Sequence, residues 1–185
     1  DSGPVHQLLQ EATEAARKEA HILGTPLIVK EIWLPEVLPG FFHPKKIPQV
    51  AELLETLGRA DGWIIGSPIV GGSKVDTLVT LTCYLYDLEY PKFSVRGKPF
   101  GAIAYGTTDG GRETLLDIAG TLQVDLDMVA PPSCLYYRLR DGQERSEGGW
   151  MDINQRAVGE NLVRHIAAMR TVSADLNGWK LREPR

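Results

Sequence analysis

Apolar residues along the chain follow two alternating patterns. A helical spacing predicts helices over residues 4–23, 48–60, 74–88, 112–122 and 152–172. Between these helices lie four short apolar runs, at residues 25–33, 62–66, 97–105 and 124–138, which are typical of buried strands. Strands that alternate with helices in this way predict a parallel sheet with helices on both faces, a doubly wound α/β fold of three α/β/α layers.

One long segment breaks this alternation. Residues 34–47 hold three prolines and one glycine, and therefore predict a surface loop. Trp33, Phe41 and Phe42 lie at or near its ends. These aromatic side chains either cover a planar substrate or form a small cluster that holds the loop in place, and the sequence leaves both interpretations open.

The order of the elements predicts a strand before the first helix. In the doubly wound order 2-1-3-4-5, the first strand lies inside the sheet and the second, here residues 25–33, lies at its edge. The sequence opens on a helix at residue 4. We therefore expect a strand and its following loop to precede Asp1, and residues 25–33 to lie two strand spacings, about 10 Å, from residues 62–66.

Composition narrows the classes of function. The chain has 185 residues, a length that predicts a single domain over residues 1–185, and its net charge of −4 provides no basic footprint for nucleic acid. No apolar run approaches the roughly 18 residues of a membrane span, and no signal peptide is visible. Cys83 and Cys134 match no metal or redox spacing, so we expect reduced thiols in a cytoplasmic protein. The four histidines share no ligand spacing, and no metal site is expected.

Two glycine-rich loops are the candidates for chemistry. Residues 66–73 and 106–111 each follow a predicted strand and precede a predicted helix, so both should lie at the carboxyl edge of the sheet. They contain no histidine and no cysteine. Backbone amides and small side chains suit a flat heteroaromatic cofactor that supplies the chemistry itself. Ordinary strand-to-helix turns are the alternative, because glycine is common in such turns.

Three stretches resemble one known family. ADGWIIGSPIVGGSKVDTL, GKPFGAIAYGTTDGGRETLLDIAGTL and DINQRAVGENLVRHIAAM are similar, in this order, to segments of flavodoxin-like NAD(P)H-dependent FMN reductases. The resemblance covers most of the chain. It implies a flavodoxin-like fold, FMN and NADPH or NADH as cofactors, and a small-molecule electron acceptor such as a quinone or a flavin.

The resemblance also implies the residues that contact the cofactor. The isoalloxazine ring would lie along Ser67, Pro68, Ile69, Val70, Gly71 and Gly72. Its pyrimidine end would approach Gly106, Thr107, Thr108, Asp109 and Gly110. The start of the first helix, with Ser2, would offer amides to the phosphate. The alternative is a flavodoxin-fold binding protein without catalysis, since Val70 stands where the family has an aromatic residue and most of the family's phosphate loop is not seen.

The third predicted helix indicates self-association. Leu81, Tyr84, Leu85 and Leu88 form its expected core stripe. Tyr86, Tyr90 and Phe93 add more aromatic surface than one helix face buries within a domain. We therefore expect these aromatic residues in the subunit interface of a homodimer or homotetramer.

Overall fold

The computed structural model describes residues 3–38, 47–69, 75–90, 93–106, 110–139, 144–146 and 154–176. Its α-helices are α1 (Pro4–Ile22), α2 (Leu34–Val37), α3 (Pro48–Arg59), α4 (Asp76–Glu89), α5 (Gly111–Gly120) and α6 (Gln155–Leu176). All five predicted helices are confirmed, and α2 is a single turn inside the segment that was predicted to be a loop. Proline in the first turn of α1 and of α3 sets both helix starts, because its fixed φ suits that position.

The sheet is mainly parallel. Its strands β1 (Trp63–Pro68), β2 (Phe100–Gly106), β3 (Leu135–Leu139) and β4 (Glu144–Ser146) are arranged in the order β1-β2-β3-β4. The first three strands are parallel, and β4 pairs antiparallel with β3. Strands joined through helices in this way confirm the predicted doubly wound arrangement.

Helices cover both faces of the sheet and create two cores. On one face, α1 and α6 pack against Ile103 and Tyr136 of the central strands. On the other face, side chains of α3, α4 and α5 pack against Phe100, Ala102 and Tyr137. Both faces of β2 are therefore buried, which explains why that strand is apolar at nearly every position. The observed layers are those of a flavodoxin-like three-layer α/β/α fold.

A close helix pair forms one outer layer. A Cβ at Gly159 of α6 would overlap the carbonyl of Ala12 on α1, so glycine permits the two backbones to approach. Glu19 on α1 is buried and accepts two hydrogen bonds from Arg164, at 2.7 Å from Nε and 3.1 Å from Nη2. This bidentate ion pair fixes the register of α1 on α6.

The predicted strand at residues 25–33 is not formed. A strand requires a neighbouring backbone with which to exchange hydrogen bonds. Within the described ranges no segment pairs with residues 25–33, and the Ile28 side chain is 95% exposed. Lys30 Nζ donates a hydrogen bond to Thr56 Oγ1 on α3 at 3.2 Å. Residues 25–33 thus form neither helix nor strand and contact α3 through Lys30, and β1 is an edge strand of the described sheet.

The last apolar run also differs from its prediction. Residues 121–125 continue α5 as a π-helical turn (Thr121–Asp125), and only residues 135–139 form a strand. Strand β4 was not predicted, although the Asp-Gly pair at residues 141–142 is a common hairpin signal in the sequence. Trp33 is exposed, whereas Phe41 and Phe42 lie outside the described residues. No helix in the described part of the chain is long and apolar enough to cross a membrane.

Candidate functional site

The two predicted loops begin side by side at the carboxyl edge of the sheet. In the parallel register of β1 and β2, Ser67 pairs with Ala104 and Pro68 pairs with Tyr105. The amide of Ile69 extends this ladder by donating to the Tyr105 carbonyl at 2.8 Å. The chain therefore leaves β1 and β2 at adjacent points, as the sequence predicted for loops 66–73 and 106–111.

The first loop begins with side chains that point into the protein. Ser67 is fully buried, and its Oγ donates to the Pro68 carbonyl at 2.9 Å. Ile69 is buried against the second loop, because a Cβ at Gly106 would lie 2.5 Å from Ile69 Cβ. Pro68 is exposed. Ser67 and Ile69 therefore shape this edge from within and present mainly backbone to a ligand.

The second loop enters α5 through two glycines that serve different purposes. Gly110 has φ of 107° and ψ of 9°, a left-handed conformation that is costly for any residue with a Cβ. Its carbonyl accepts the first hydrogen bond of α5, from the amide of Thr114 at 2.9 Å. Gly111 lies on the ring of Tyr137, which a Cβ there would overlap. The start of α5 is consequently held tightly against the carboxyl end of the sheet.

The start of α1 lies at the same edge. A Cβ at Gly66 would lie 2.7 Å from Val5 Cγ1 and 2.5 Å from Leu9 Cδ1, so the first turns of α1 rest on the carboxyl half of β1. The first bond of the helix runs from the amide of Gln7 to the Gly3 carbonyl at 3.2 Å. The amides of Val5 and His6 precede that bond and have no acceptor within the helix.

The start of α1 differs in charge from the starts of α4 and α5, and resembles the start of α3, whose first turn also carries no acidic residue. None of α1, α4 and α5 has a side-chain hydrogen bond at its N-cap. The first turn of α4 carries Asp76 and that of α5 carries Glu113, whereas the first turn of α1 carries no acidic residue. Within the described residues, no acid in the first turn neutralises the positive end of the α1 dipole, which suits a phosphate.

The structure brings five predicted site residues to one edge. These residues are Ser67, Pro68, Ile69, Gly106 and Gly110. The other predicted residues lie outside the described ranges, namely Ser2, Val70, Gly71, Gly72, Thr107, Thr108 and Asp109. The packing roles of Gly66 and Gly111 could not be predicted from the sequence, because spacing does not show which helix approaches a glycine. Arg112, an exposed cation in the first turn of α5, was not among the predicted site residues, although the letters GGR make it visible.

The cysteines are not placed as nucleophiles. Cys134 is completely buried, and burial raises the pKa of its thiol to about 12, so the thiolate is negligible near neutral pH. Cys83 is half-buried on α4. Among the described residues no group of three or more potential ligands could hold a metal ion. This edge offers backbone amides as hydrogen-bond donors and glycines that permit close approach of a ligand. The combination fits a flat phosphorylated cofactor such as FMN.

Comparison with solved structures supports the fold. An oxidoreductase from Corynebacterium diphtheriae has a TM-score of 0.66 at 20% identity and covers 90% of each chain. A flavone reductase has a TM-score of 0.64 at 13% identity, covering 91% of this chain and 60% of its own. RosB with a bound 8-demethyl-8-formylriboflavin-5'-phosphate intermediate has a TM-score of 0.58 at 16% identity, covering 99% of this chain and 83% of its own.

Family comparison gives the more specific result. No curated protein matches the sequence significantly. The sequence model of the NADPH-dependent FMN reductase family matches residues 3–138, which include α1, β1, β2 and both glycine-rich loops. The predicted resemblance is thus confirmed over most of the chain. The protein belongs to the NADPH-dependent FMN reductase family, and is an NAD(P)H-dependent oxidoreductase of flavodoxin-like fold.

Proposed function

We propose that this chain binds FMN at the carboxyl edge of β1 and β2 and uses NADPH to reduce a small planar acceptor, such as a quinone or a free flavin. One observation carries the proposal. The start of α1, which has no acid and no side-chain cap, lies on β1 beside the point where both glycine-rich loops begin. A phosphate bound at this helix start would adjoin the points where the backbone leaves β1 and β2, as a flavin mononucleotide requires.

The phosphate contacts follow from the helix start. The amides of Val5 and His6 and the α1 dipole would hold the phosphate, together with Ser2 as the sequence predicted. Backbone donors at a helix start need no protonation and do not depend on a side-chain rotamer. The phosphate would therefore provide a large share of the affinity for FMN compared with riboflavin.

The ring contacts are divided between the two loops. Residues 67–72, with Val70, Gly71 and Gly72, would lie along the ring, and residues 106–110, with Thr107, Thr108 and Asp109, would approach its pyrimidine end. Buried Ile69 would keep water away from the inner side of this surface. Glycine at positions 106 and 110 would permit the backbone to approach the ring.

The chemistry belongs to the cofactor and the electrostatics to the chain. FMN, when bound, accepts a hydride from NADPH and passes the electrons to the acceptor. Backbone amides near Gly110 and the start of α5 would stabilise negative charge at the pyrimidine end. The exposed Arg112 would add a positive charge at the same edge. Two of the similar solved structures are consistent with a small planar acceptor, since one is a flavone reductase and RosB holds an 8-demethyl-8-formylriboflavin-5'-phosphate intermediate.

Binding and turnover test this proposal separately. Equilibrium titration should show FMN binding at least about tenfold more tightly than riboflavin, because only FMN carries the phosphate. Saturating FMN should then support NADPH oxidation that depends on an added quinone or flavin. Failure to bind FMN would overturn the proposed site. Tight FMN binding without NADPH oxidation, over a panel of quinones and flavins, would instead favour a flavin-binding protein without catalysis.

A further inference from the structure

Side chains near the carboxyl ends of the three parallel strands form a row on one face of the sheet. Ser67 of β1 pairs in register with Ala104 of β2, and Ala104 pairs with Tyr137 of β3. Ala104 and Tyr137 belong to the core under α3, α4 and α5. The row is therefore small, small and large, and its one bulky member is the ring of Tyr137.

The first residue of α5 rests on this ring. A Cβ at Gly111 would overlap Tyr137 Cδ2 and would lie 2.6 Å from Cγ and 2.8 Å from Cε2, and these are the three heavy atoms nearest to it. The Tyr137 side chain is buried in the core. The backbone of Gly111 and the ring of Tyr137 thus touch with no side chain between them.

The remainder of α5 is held by other contacts. Thr114, Leu115 and Ile118 are completely buried, so the helix is fixed to the core from its fourth residue onward. Ahead of the helix, Gly110 has no side chain with which to hold the backbone. The position of the first turn consequently depends on the group that lies under Gly111, which is the ring of Tyr137.

The first turn of α5 carries backbone donors. The helix has no side-chain hydrogen bond at its N-cap, and its first bond runs from the Thr114 amide to the Gly110 carbonyl at 2.9 Å. The amides ahead of that bond have no acceptor within the helix. Glu113 in the same turn offsets part of the positive end of the helix dipole. The effect of this turn on a ligand therefore depends mainly on direct hydrogen bonds, which weaken steeply as their geometry departs from the ideal.

We propose that Tyr137 is a positioning residue of the flavin site. Its ring sets the distance between the first-turn amides of α5 and the pyrimidine end of FMN, and thereby the preference of the site for reduced over oxidised FMN. This role rests on the proposed function, which brings the pyrimidine end to residues 106–110 and the start of α5. Reduction adds negative charge at that end of the ring system, so amides directed at it stabilise reduced FMN more than oxidised FMN.

The neighbouring Tyr136 distinguishes positioning from ordinary packing. It precedes Tyr137 on β3, is completely buried, and packs on the opposite face of the sheet with Leu8 and Ala12 of α1. The two tyrosines have the same size and nearly the same burial, but only Tyr137 lies under α5. A packing role predicts that loss of either ring lowers stability. A positioning role predicts, in addition, a change in the reduction potential of bound FMN for Tyr137 alone.

The reduction potential of bound FMN tests this role. It would be measured on the FMN-saturated protein without oxygen, by equilibration with a reference dye. Tyr137→Leu should weaken the binding of reduced FMN at least about tenfold more than that of oxidised FMN, which lowers the two-electron potential by at least about 30 mV. Tyr137→Phe retains the ring and should keep the parent potential. Tyr136→Leu should lower the urea midpoint of unfolding and leave the potential unchanged.

A double variant tests the contact between Gly111 and Tyr137. Gly111→Ala should displace the first turn of α5, since the added Cβ would overlap the ring. Gly111 has helical backbone geometry, so alanine is otherwise compatible with this position. Tyr137→Leu should relieve the overlap, and the double variant should lose less in its urea midpoint than the sum of the two single losses. Additive losses would overturn the contact on which the positioning role depends.

Failure of this role and failure of the proposed function give different results. If Tyr137→Leu binds FMN at the parent potential, the positioning role is overturned and the proposed function stands. Should Tyr137→Leu not fold, the same result for Gly111→Ala, which displaces the same amides, would overturn it. An equal shift in Tyr136→Leu would do so too, because any loss from the core would then have this effect. A parent protein that binds no FMN overturns the proposed function and the role of Tyr137 together.

Discussion

At the scale of single residues, the two glycines at the start of α5 show how the backbone, more than side chains, forms the candidate site. Gly110 adopts a left-handed conformation, and Gly111 permits the helix to rest on Tyr137. The sequence indicated that residues 106–111 would form a turn. It could not indicate which glycine has positive φ and which one avoids a clash, because both depend on the position of β3.

Replacing Gly110 by valine tests the role of that backbone conformation. Gly110→Val should weaken FMN binding at least about tenfold, because a β-branched residue resists positive φ and would displace the loop. Gly97→Val is the matched control. Gly97 also has positive φ, 73°, but precedes β2 at the opposite edge of the sheet. Both variants should lose stability, but only Gly110→Val should lose affinity for FMN. Equal affinity of the two variants for FMN in a fluorescence titration would contradict the proposed site.

Buried Cys134 predicts a loss of stability at alkaline pH. Burial raises the pKa of its thiol to about 12, so the folded state retains a proton that the unfolded chain releases from about pH 8.5 upward. The contribution of the protonated Cys134 thiol to the free energy of unfolding is present in full below about pH 8.5. It is lost as the pH rises toward the folded-state pKa of about 12. Denaturant unfolding at pH 8 and pH 10 should show a smaller pH-dependent loss for Cys134→Ala than for the parent. An identical loss in both proteins would contradict the assignment.

At the scale of elements, the two ends of α1 differ, since its first turn is the proposed phosphate site and its last turns are fixed to α6 through Glu19. The helical period and the proline at its start predicted its bounds almost to the residue. The absence of an acid in its first turn is also readable from the sequence. Its contact with β1 through Gly66 is not, because a glycine inside a strand does not reveal its neighbour.

An acidic residue introduced in the first turn of α1 should weaken phosphate binding without lowering the stability of the protein. His6→Glu should weaken FMN binding roughly tenfold through repulsion of the phosphate, while riboflavin binding remains unchanged. The same variant should not destabilise the protein, because an acid at a helix start interacts favourably with the dipole. His6→Gln is the neutral control. Equal weakening of FMN and riboflavin would show that the phosphate lies elsewhere.

The ion pair between α1 and α6 should contribute measurably to stability. Glu19→Ala should lower the free energy of unfolding by roughly 1–2 kcal/mol, because it removes a bidentate contact to Arg164 that solvent screens only in part. Glu14→Ala, on the same helix, removes an exposed pair with Lys18 at 3.2 Å and should cost at most about 0.5 kcal/mol. Chemical denaturation measures both losses. Equal losses would contradict a specific role of Glu19.

At the scale of the whole molecule, the sequence predicted the layers better than the edges of the sheet. Periodicity identified five helices and the three parallel strands, because each buries a continuous apolar face. It failed at residues 25–33, where an apolar run has no strand beside it in the described part of the chain. It also failed at β4, whose three residues carry too little pattern. A single domain over residues 1–185 stays a prediction.

Reduction of bound FMN by NADPH is the most direct test of the proposed function. The protein, saturated with FMN and freed of excess flavin, would be mixed with NADPH without oxygen while absorbance is followed near about 450 nm, where oxidised flavins absorb. We expect the band to bleach and to return when a quinone is added, and Gly110→Val to retain less flavin before mixing. A parent protein that retains no FMN, or a retained band that NADPH leaves unchanged, would contradict the account.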